Sequence, residues 1–209
     1  AAVRARLRPL MSRGVVPVVP GFLGAWHKEH GQPPALVTLG RGGSDLTATL
    51  IGRALEASRV TLWKDVPGLL TADPRVVPEA RVIPQLHVRE AAELAYYGAK
   101  VLHSRALIPV QGKPIPVFVR PFAEPSAPGT EISSHQSTDR HAVKALSAVS
   151  GQALVTVAGR GLLGVPGGAA RTFATLSAHG MSVSLITQAS SEQSICFTVP
   201  EREAKAAKE

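Results

Sequence analysis

Gly40-Arg41-Gly42-Gly43-Ser44-Asp45 places a guanidinium, a carboxylate and bare backbone within one short stretch. Glycines so closely spaced let the chain turn tightly and bring N–H groups near a ligand. Arg41 offers a planar fork of donors that suits a carboxylate or a phosphate. Asp45 adds a negative charge able to orient other charged groups. The elements on either side decide what the turn can do. Leu36 to Leu39 reads as a short buried strand. After Ser44, a good N-cap, residues Leu46, Leu50, Ile51, Ala54 and Leu55 fall on one helix face. Strand, glycine turn and helix N-terminus together aim unpaired N–H groups and a positive helix end at an anion, usually a phosphate. A plainer reading has the glycines only turning the chain and Asp45 only complementing the helix dipole. The motif has neither the Walker nor the dinucleotide-fingerprint spacing.

Composition narrows the classes. A chain of 209 residues can bury a good core as one large domain or two smaller ones. No window approaches the length of a membrane span, and the first stretch lacks a signal-peptide pattern. The single Cys196 forms no internal disulfide, which predicts a reducing, cytoplasmic setting. The net charge of +8 is scattered rather than blocked, and aromatics are few. Nucleic acid is therefore not the expected partner; phosphorylated or acidic small molecules are.

Along the chain, residues 1–13 read as the end of a helix closed by Gly14, and Val15 to Val19 as a strand entering a sheet. Residues 25–34 read as a hairpin-like loop, whose His27 and His30 lack the Cys or carboxylate partners of a metal site. Arg59 to Trp63 is the next strand, followed by a turn-rich loop over 65–75, at the strand end where open α/β sheets bind ligands. Val88 to Tyr97 reads as a helix with Arg89, Glu90 and Glu93 solvated, and a further helix starts at Ser104, capped by its serine. Ile115 to Val119 is a strand, and the polar run 133–142 a linker. Beyond it, Val143 to Val149, Leu154 to Ala158, Met181 to Thr187 and Ser194 to Val199 read as strands, Ala169 to Ala178 and Glu201 to Glu209 as helices.

Several of these segments resemble the aspartokinases of the amino-acid kinase superfamily. The glycine turn is similar to their phosphate-site segment, and Pro20 to Gly24 to their Gly-Phe-x-Gly turn. Trp-Lys-Asp-Val-x-Gly (63–68) followed by Asp73-Pro74-Arg75, Glu-Leu-Ala-Tyr-Tyr-Gly-Ala-Lys-Val-Leu-His (93–103) and Pro-Gly-Thr (128–130) extend the match. The resemblance implies an α/β fold: the C-terminal half of a three-layer αβα kinase domain over 1–132, a linker over 133–142, and an incomplete ferredoxin-like ACT regulatory domain over 143–209. It implies transfer of the γ-phosphoryl group of ATP, with Mg²⁺ bound through the nucleotide, to the side-chain carboxylate of L-aspartate. That is the first step of lysine, threonine and methionine biosynthesis. Carried over by position, Arg41 and Asp45 are catalytic, and Arg41, Gly40, Gly42, Gly43 and Ser44 hold substrate. Lys64, Asp65, Arg75, Lys100 and Val101 hold the nucleotide, and no residue is a metal ligand. Leu70 stands where a tyrosine is common. The family's Lys-x-Gly-Gly-Thr segment is not found in these residues, so the expectation is a fragment inactive alone.

The resemblance also implies ACT domains that pair between subunits into a homo-oligomer and bind a pathway amino acid. Lysine-inhibited members carry an aspartate where Ser184 stands. Ile186-Thr187-Gln188 instead resembles the threonine-sensitive enzymes fused to homoserine dehydrogenase, which predicts threonine rather than lysine against Ile186 and Gln188. Two other readings remain open: a non-catalytic amino-acid-binding module, and a kinase for another amino acid. The Trp-Lys-Asp-Val-x-Gly and Gly-Ala-Lys-Val-Leu-His segments argue against the latter.

Overall fold

Glycine and proline punctuate this chain so closely that its regular elements are short, and they gather into two compact units, Ala1–Ala148 and Val149–Glu209. The computed structural model describes residues 2–26, 34–96, 101–135, 141–159, 166–188 and 194–208. The division falls within the stretch assigned from sequence to the regulatory unit. Residues 144–146 lie with the first unit because the Leu146 N–H donates to the Thr71 carbonyl and Lys144 pairs with Glu90.

In the first unit, helix α1 (Ala2–Met11) packs on α2 (Gly43–Leu55). Arg4 ties them, reaching the Ala54 carbonyl and Glu56. Strands β1 (Leu23–Trp26) and β2 (Ala35–Thr38) form an antiparallel pair, Trp26 opposite Ala35. A four-stranded mixed sheet follows in the order β3 (Val60–Lys64), β5 (Val117–Pro121), β6 (Thr130–Ser133), β4 (Gln85–His87). Strands β3 and β5 run parallel, as do β4 and β6, while β5 and β6 run antiparallel. Val117, Val119, Ile132, Leu86 and Leu62 fill its core, with Ala91 of α3 (Val88–Tyr96) and Leu102, Ala106 and Leu107 beside them. This is a mixed α/β unit, as expected.

Several sequence expectations are corrected here. Leu36 is 75% exposed rather than buried, because among the described residues β2 pairs only with β1. Val15 to Val19 forms no strand; Pro17 and Pro20 remove N–H donors that a ladder needs, and Val18 is 94% exposed. The helix at Ser104 is two successive 3₁₀ turns, Ser104–Ala106 and Ile108–Val110, the second entered by Pro109. The cap of the first is His103, whose ring nitrogen accepts from the Arg105 N–H. Glu90 is not merely solvated. Its carboxylate accepts from the His87 N–H at the head of α3 and pairs with Lys144 at 2.6 Å. Burial pushes that carboxyl up, but Lys144 and the His87 N–H outweigh it and leave the group below its ordinary value.

The second unit is a three-stranded antiparallel sheet, β7 (Gln152–Ala158), β9 (Ser194–Pro200) and β8 (Leu185–Gln188), with β9 central. Alternation along β9 buries Ile195, Phe197 and Val199 on one face. Phe173 and Leu176 of α4 (Gly168–Ala178) and Ala207 of α5 (Ala204–Lys208) cover it. The rings of Phe173 and Phe197 meet edge to face at 5.9 Å. The order strand, helix, strand, strand, helix is the one read from sequence. Val143 to Val149, however, forms no strand, and the strand read from Met181 begins only at Leu185.

Candidate functional site

Chemistry in the first unit centres on the head of α2. Gly40 and Gly42 both take left-handed backbone conformations, at φ 74° and 72°, so the chain reverses within three residues. Gly42, not Ser44, is the N-cap; Ser44 sits inside the first helical turn. Glycine takes the cap because the position is left-handed and because a Cβ there would collide with the side chain of His103. The Gly43 N–H donates to the Gly40 carbonyl and the Leu46 N–H to Gly42. The N–H groups of Ser44 and Asp45 meet no acceptor among the described residues, leaving two orphan donors at a helix N-terminus.

Neighbouring segments hold this turn in place. Phe22, itself at φ 72°, accepts at its carbonyl from the Leu39 N–H and donates its own N–H to Thr47 Oγ1 of α2. Its ring lies where a Cβ on Gly43 would sit. Farther along, Gly52 passes so close to Val60 that no side chain fits between α2 and β3. The buried face of α2 therefore runs through Gly43, Thr49 and Gly52, and Leu50 is exposed, unlike the leucine-rich face read from sequence.

That close packing brings the end of β3 to the head of α2. Lys64 Nζ lies 2.8 and 2.7 Å from the two carboxylate oxygens of Asp45. The side chains are 22% and 14% exposed, so the pair is partly withdrawn from water yet reachable. Arg41 is exposed beside it on the turn. The structure thus brings together Gly40, Arg41, Gly42, Gly43, Ser44, Asp45 and Lys64. Asp65 follows Lys64 and is exposed. Arg75, 72% exposed, makes a double contact with Asp73 at 3.0 and 2.6 Å, and the Asp73 carboxylate raises the arginine's pKa further. Val101 is half-buried and packs against the core. Lys100 lies outside the described residues. His103 against Gly42 and Arg105 reaching the Leu39 carbonyl at 3.5 Å were not foreseen, and no local spacing signals either.

In the second unit Ile186 stands opposite Phe197 and Gln188 opposite Ile195, yet both are exposed. Ser184 precedes them, its hydroxyl bonded to Gln152 Oε1 at 3.1 Å and within 2.9 Å of Thr198 Oγ1. The glycine-rich loop facing this strand lies largely in 160–165, outside the described residues.

Residues 2–121 match the model of the Amino acid kinase family. The chain belongs to that family. Residues 155–209 match an ACT domain. This family member is 44% identical over 173 residues to the bifunctional aspartokinase/homoserine dehydrogenase of Haemophilus influenzae, which covers 83% of this chain and 21% of that protein. Among solved structures it is similar to E. coli aspartokinase III in complex with aspartate and ADP (R-state), at a TM-score of 0.78 and 39% identity over 95% of this chain and 42% of the other. The same enzyme with lysine and aspartate (T-state) gives 0.70 and 38% over 94% and 42%. The chain therefore spans about a fifth to two-fifths of the length of these relatives.

Proposed function

We propose that this chain is part of an aspartate kinase, moving the γ-phosphoryl group of ATP onto the side-chain carboxylate of L-aspartate. The observation that carries the reading is the Asp45–Lys64 pair set against orphan N–H groups at the head of α2. Its likeness to an aspartokinase seen with aspartate and ADP supports it. In the reaction a carboxylate oxygen of aspartate attacks the γ-phosphorus. The bond from that phosphorus to the β,γ-bridging oxygen breaks, and ADP leaves with the electron pair. The attacking carboxylate is already ionised, so no general base is needed, and positioning with charge neutralisation supplies the catalysis.

Arg41 takes a carboxylate of the substrate aspartate through its fork. Gly40, Gly42 and Gly43 keep the backbone of the turn bare for the phosphoryl group, Ser44 brings its orphan N–H to it, and Asp45 orients the charged groups around it. Lys64, Asp65, Arg75, Lys100 and Val101 serve the nucleotide. Mg²⁺ would be carried on the phosphates of ATP, where it would neutralise part of their charge. Among the described residues no three His, Cys, Asp or Glu side chains cluster to hold it independently. The test is aspartate-dependent acyl phosphate, trapped as hydroxamate, in the full-length protein that contains this chain. Product with aspartate but not with glutamate or N-acetylglutamate supports the reading; none with aspartate refutes it.

The second unit serves as an amino-acid sensor. Threonine is favoured over lysine, because Ser184 spends its hydroxyl inside the sheet and brings no carboxylate for a second ammonium. Ile186 and Gln188, exposed on β8, are the contacts offered to it. Pairing of these units between subunits completes the pocket. The free thiol of Cys196 supports a reducing, cytoplasmic location.

A further inference from the structure

The loop between β3 and β4 starts after Lys64 and carries Asp65 and Arg75. Backbone bonds close it on itself. The Thr71 N–H donates to the Arg81 carbonyl, the Ile83 N–H to the Leu69 carbonyl, and Leu70 faces Val82 in a bridge. Bonds within the loop shape it but do not fix its height over the sheet. Thr130, the first residue of β6, supplies that fix. It is fully buried, and its Oγ1 accepts from the Leu69 N–H at 2.8 Å. Leu69 is only 1% exposed, so without the hydroxyl its N–H would be left unsatisfied in the interior. One residue earlier the loop lies directly against Thr130. At Gly68, φ 152°, an added Cβ would stand 2.7 Å from the same hydroxyl oxygen and 2.9 Å from Val82. Within the sheet Thr130 faces Val119 of β5, a position that a valine of the same shape would fill equally well. The hydroxyl is the part that strand packing does not require.

We propose that Thr130 is a positioning residue for the nucleotide: its hydroxyl holds the 65–84 loop at the height from which Asp65 and Arg75 meet ATP. This rests on the phosphoryl-transfer reading above. Because the hydroxyl acts on that loop, its loss weakens the nucleotide and spares aspartate, which is held at the turn of residues 40–45.

Initial rates of the full-length protein that contains this chain, with ATP and aspartate varied separately, read the effect. Thr130→Val keeps the volume and removes the acceptor. Its ATP KM rises about fivefold or more, while kcat and the aspartate KM stay within about twofold. Thr130→Ser keeps the acceptor and removes a methyl. It loses stability on thermal unfolding yet holds the ATP KM within about twofold. A threonine that only fills space gives the opposite order. An unchanged ATP KM in Thr130→Val overturns the proposal. So do ATP and aspartate KM values that rise together, or a Thr130→Ser protein as impaired toward ATP as Thr130→Val. If Thr130→Val does not fold, Thr130→Cys, whose sulfur accepts weakly, carries the same comparison. If aspartate is not phosphorylated, calorimetric titration with MgATP ranks the same variants. Weaker binding by Thr130→Val but not by Thr130→Ser then removes the substrate assignment and leaves the role of Thr130 standing. Failure of the unaltered protein to bind MgATP overturns both.

Discussion

The turn at residues 40–45 and strand β8 at residues 185–188 carry the two candidate binding sites, and packing treats them differently. At the turn, side-chain room is removed: His103 lies against Gly42, Phe22 against Gly43 and Val60 against Gly52. The charged pair there is partly buried and bonded at both oxygens. On β8 all four residues are exposed, Ile186 at 52%, although their cross-strand partners on β9 include the buried Phe197 and Ile195. Phosphoryl transfer, the reaction proposed for the turn, needs fixed charges in a site poor in water, and the Asp45–Lys64 pair is held in place and partly withdrawn from water. A sensor strand needs an open edge against which a ligand or a second subunit can close, and the second arrangement supplies that.

The largest effect falls on the platform that presents β8. Phe197→Ala removes the ring packed edge-on against Phe173, and we expect a loss of about 3–5 kcal/mol from the second unit. A thermal transition of that unit left unchanged would show that the strand does not depend on this core.

Next come two glycines of the same turn. At Gly42 a Cβ meets both a left-handed backbone and His103, so Gly42→Ala should cost about 2–3 kcal/mol and weaken nucleotide binding. At Gly40 the backbone is equally left-handed but the space is open, and Gly40→Ala should cost only about 1 kcal/mol. Equal losses by denaturant titration would mean that the contact with His103 does not shape the turn.

Smaller still is the Glu90–Lys144 pair, which anchors residues 144–146 to the head of α3. Because the folded carboxyl is held below its ordinary value of about 4.5, its contribution is present above that pH and fades as pH falls through the lowered value. Glu90→Gln should therefore lower stability by less than about 1 kcal/mol near neutrality, given a carboxylate 38% exposed, and the difference from wild type should shrink below about pH 4.5. A difference that grows on acidification contradicts the pairing.

The smallest stability effect is expected at the exposed edge. Ile186→Ala should change folding by no more than about 0.5 kcal/mol while weakening threonine binding about tenfold. Undiminished threonine binding, or tighter binding of lysine than of threonine, would move the sensor site away from β8.

Local chemistry was legible in the sequence and non-local pairing was not. The glycine turn, α2, β3, β7, β9 and α4 follow from turn residues and periodicity close in the chain. Val15 to Val19 and Val143 to Val149 have the composition of strands, but a strand exists only where another offers a ladder. Strands β4 and β6 escaped notice because Gln85–His87 and Thr130–Ser133 are short and partly polar, and they are strands by virtue of each other and β5. In the candidate site the residue types were readable; the arrangement was not. The resemblance makes Lys64 a nucleotide contact and Asp45 a catalytic residue, and nothing between them in sequence announces that one grips the other.

The most direct test of the account is Asp45→Ala in the full-length protein that contains this chain, with kcat and the aspartate KM measured separately. If Asp45 organises the charges at the phosphoryl group, kcat falls at least a hundredfold, about 2.7 kcal/mol of transition-state stabilisation, and the aspartate KM moves far less. Turnover within about threefold of wild type would reduce Asp45 to a helix-dipole residue and contradict the account.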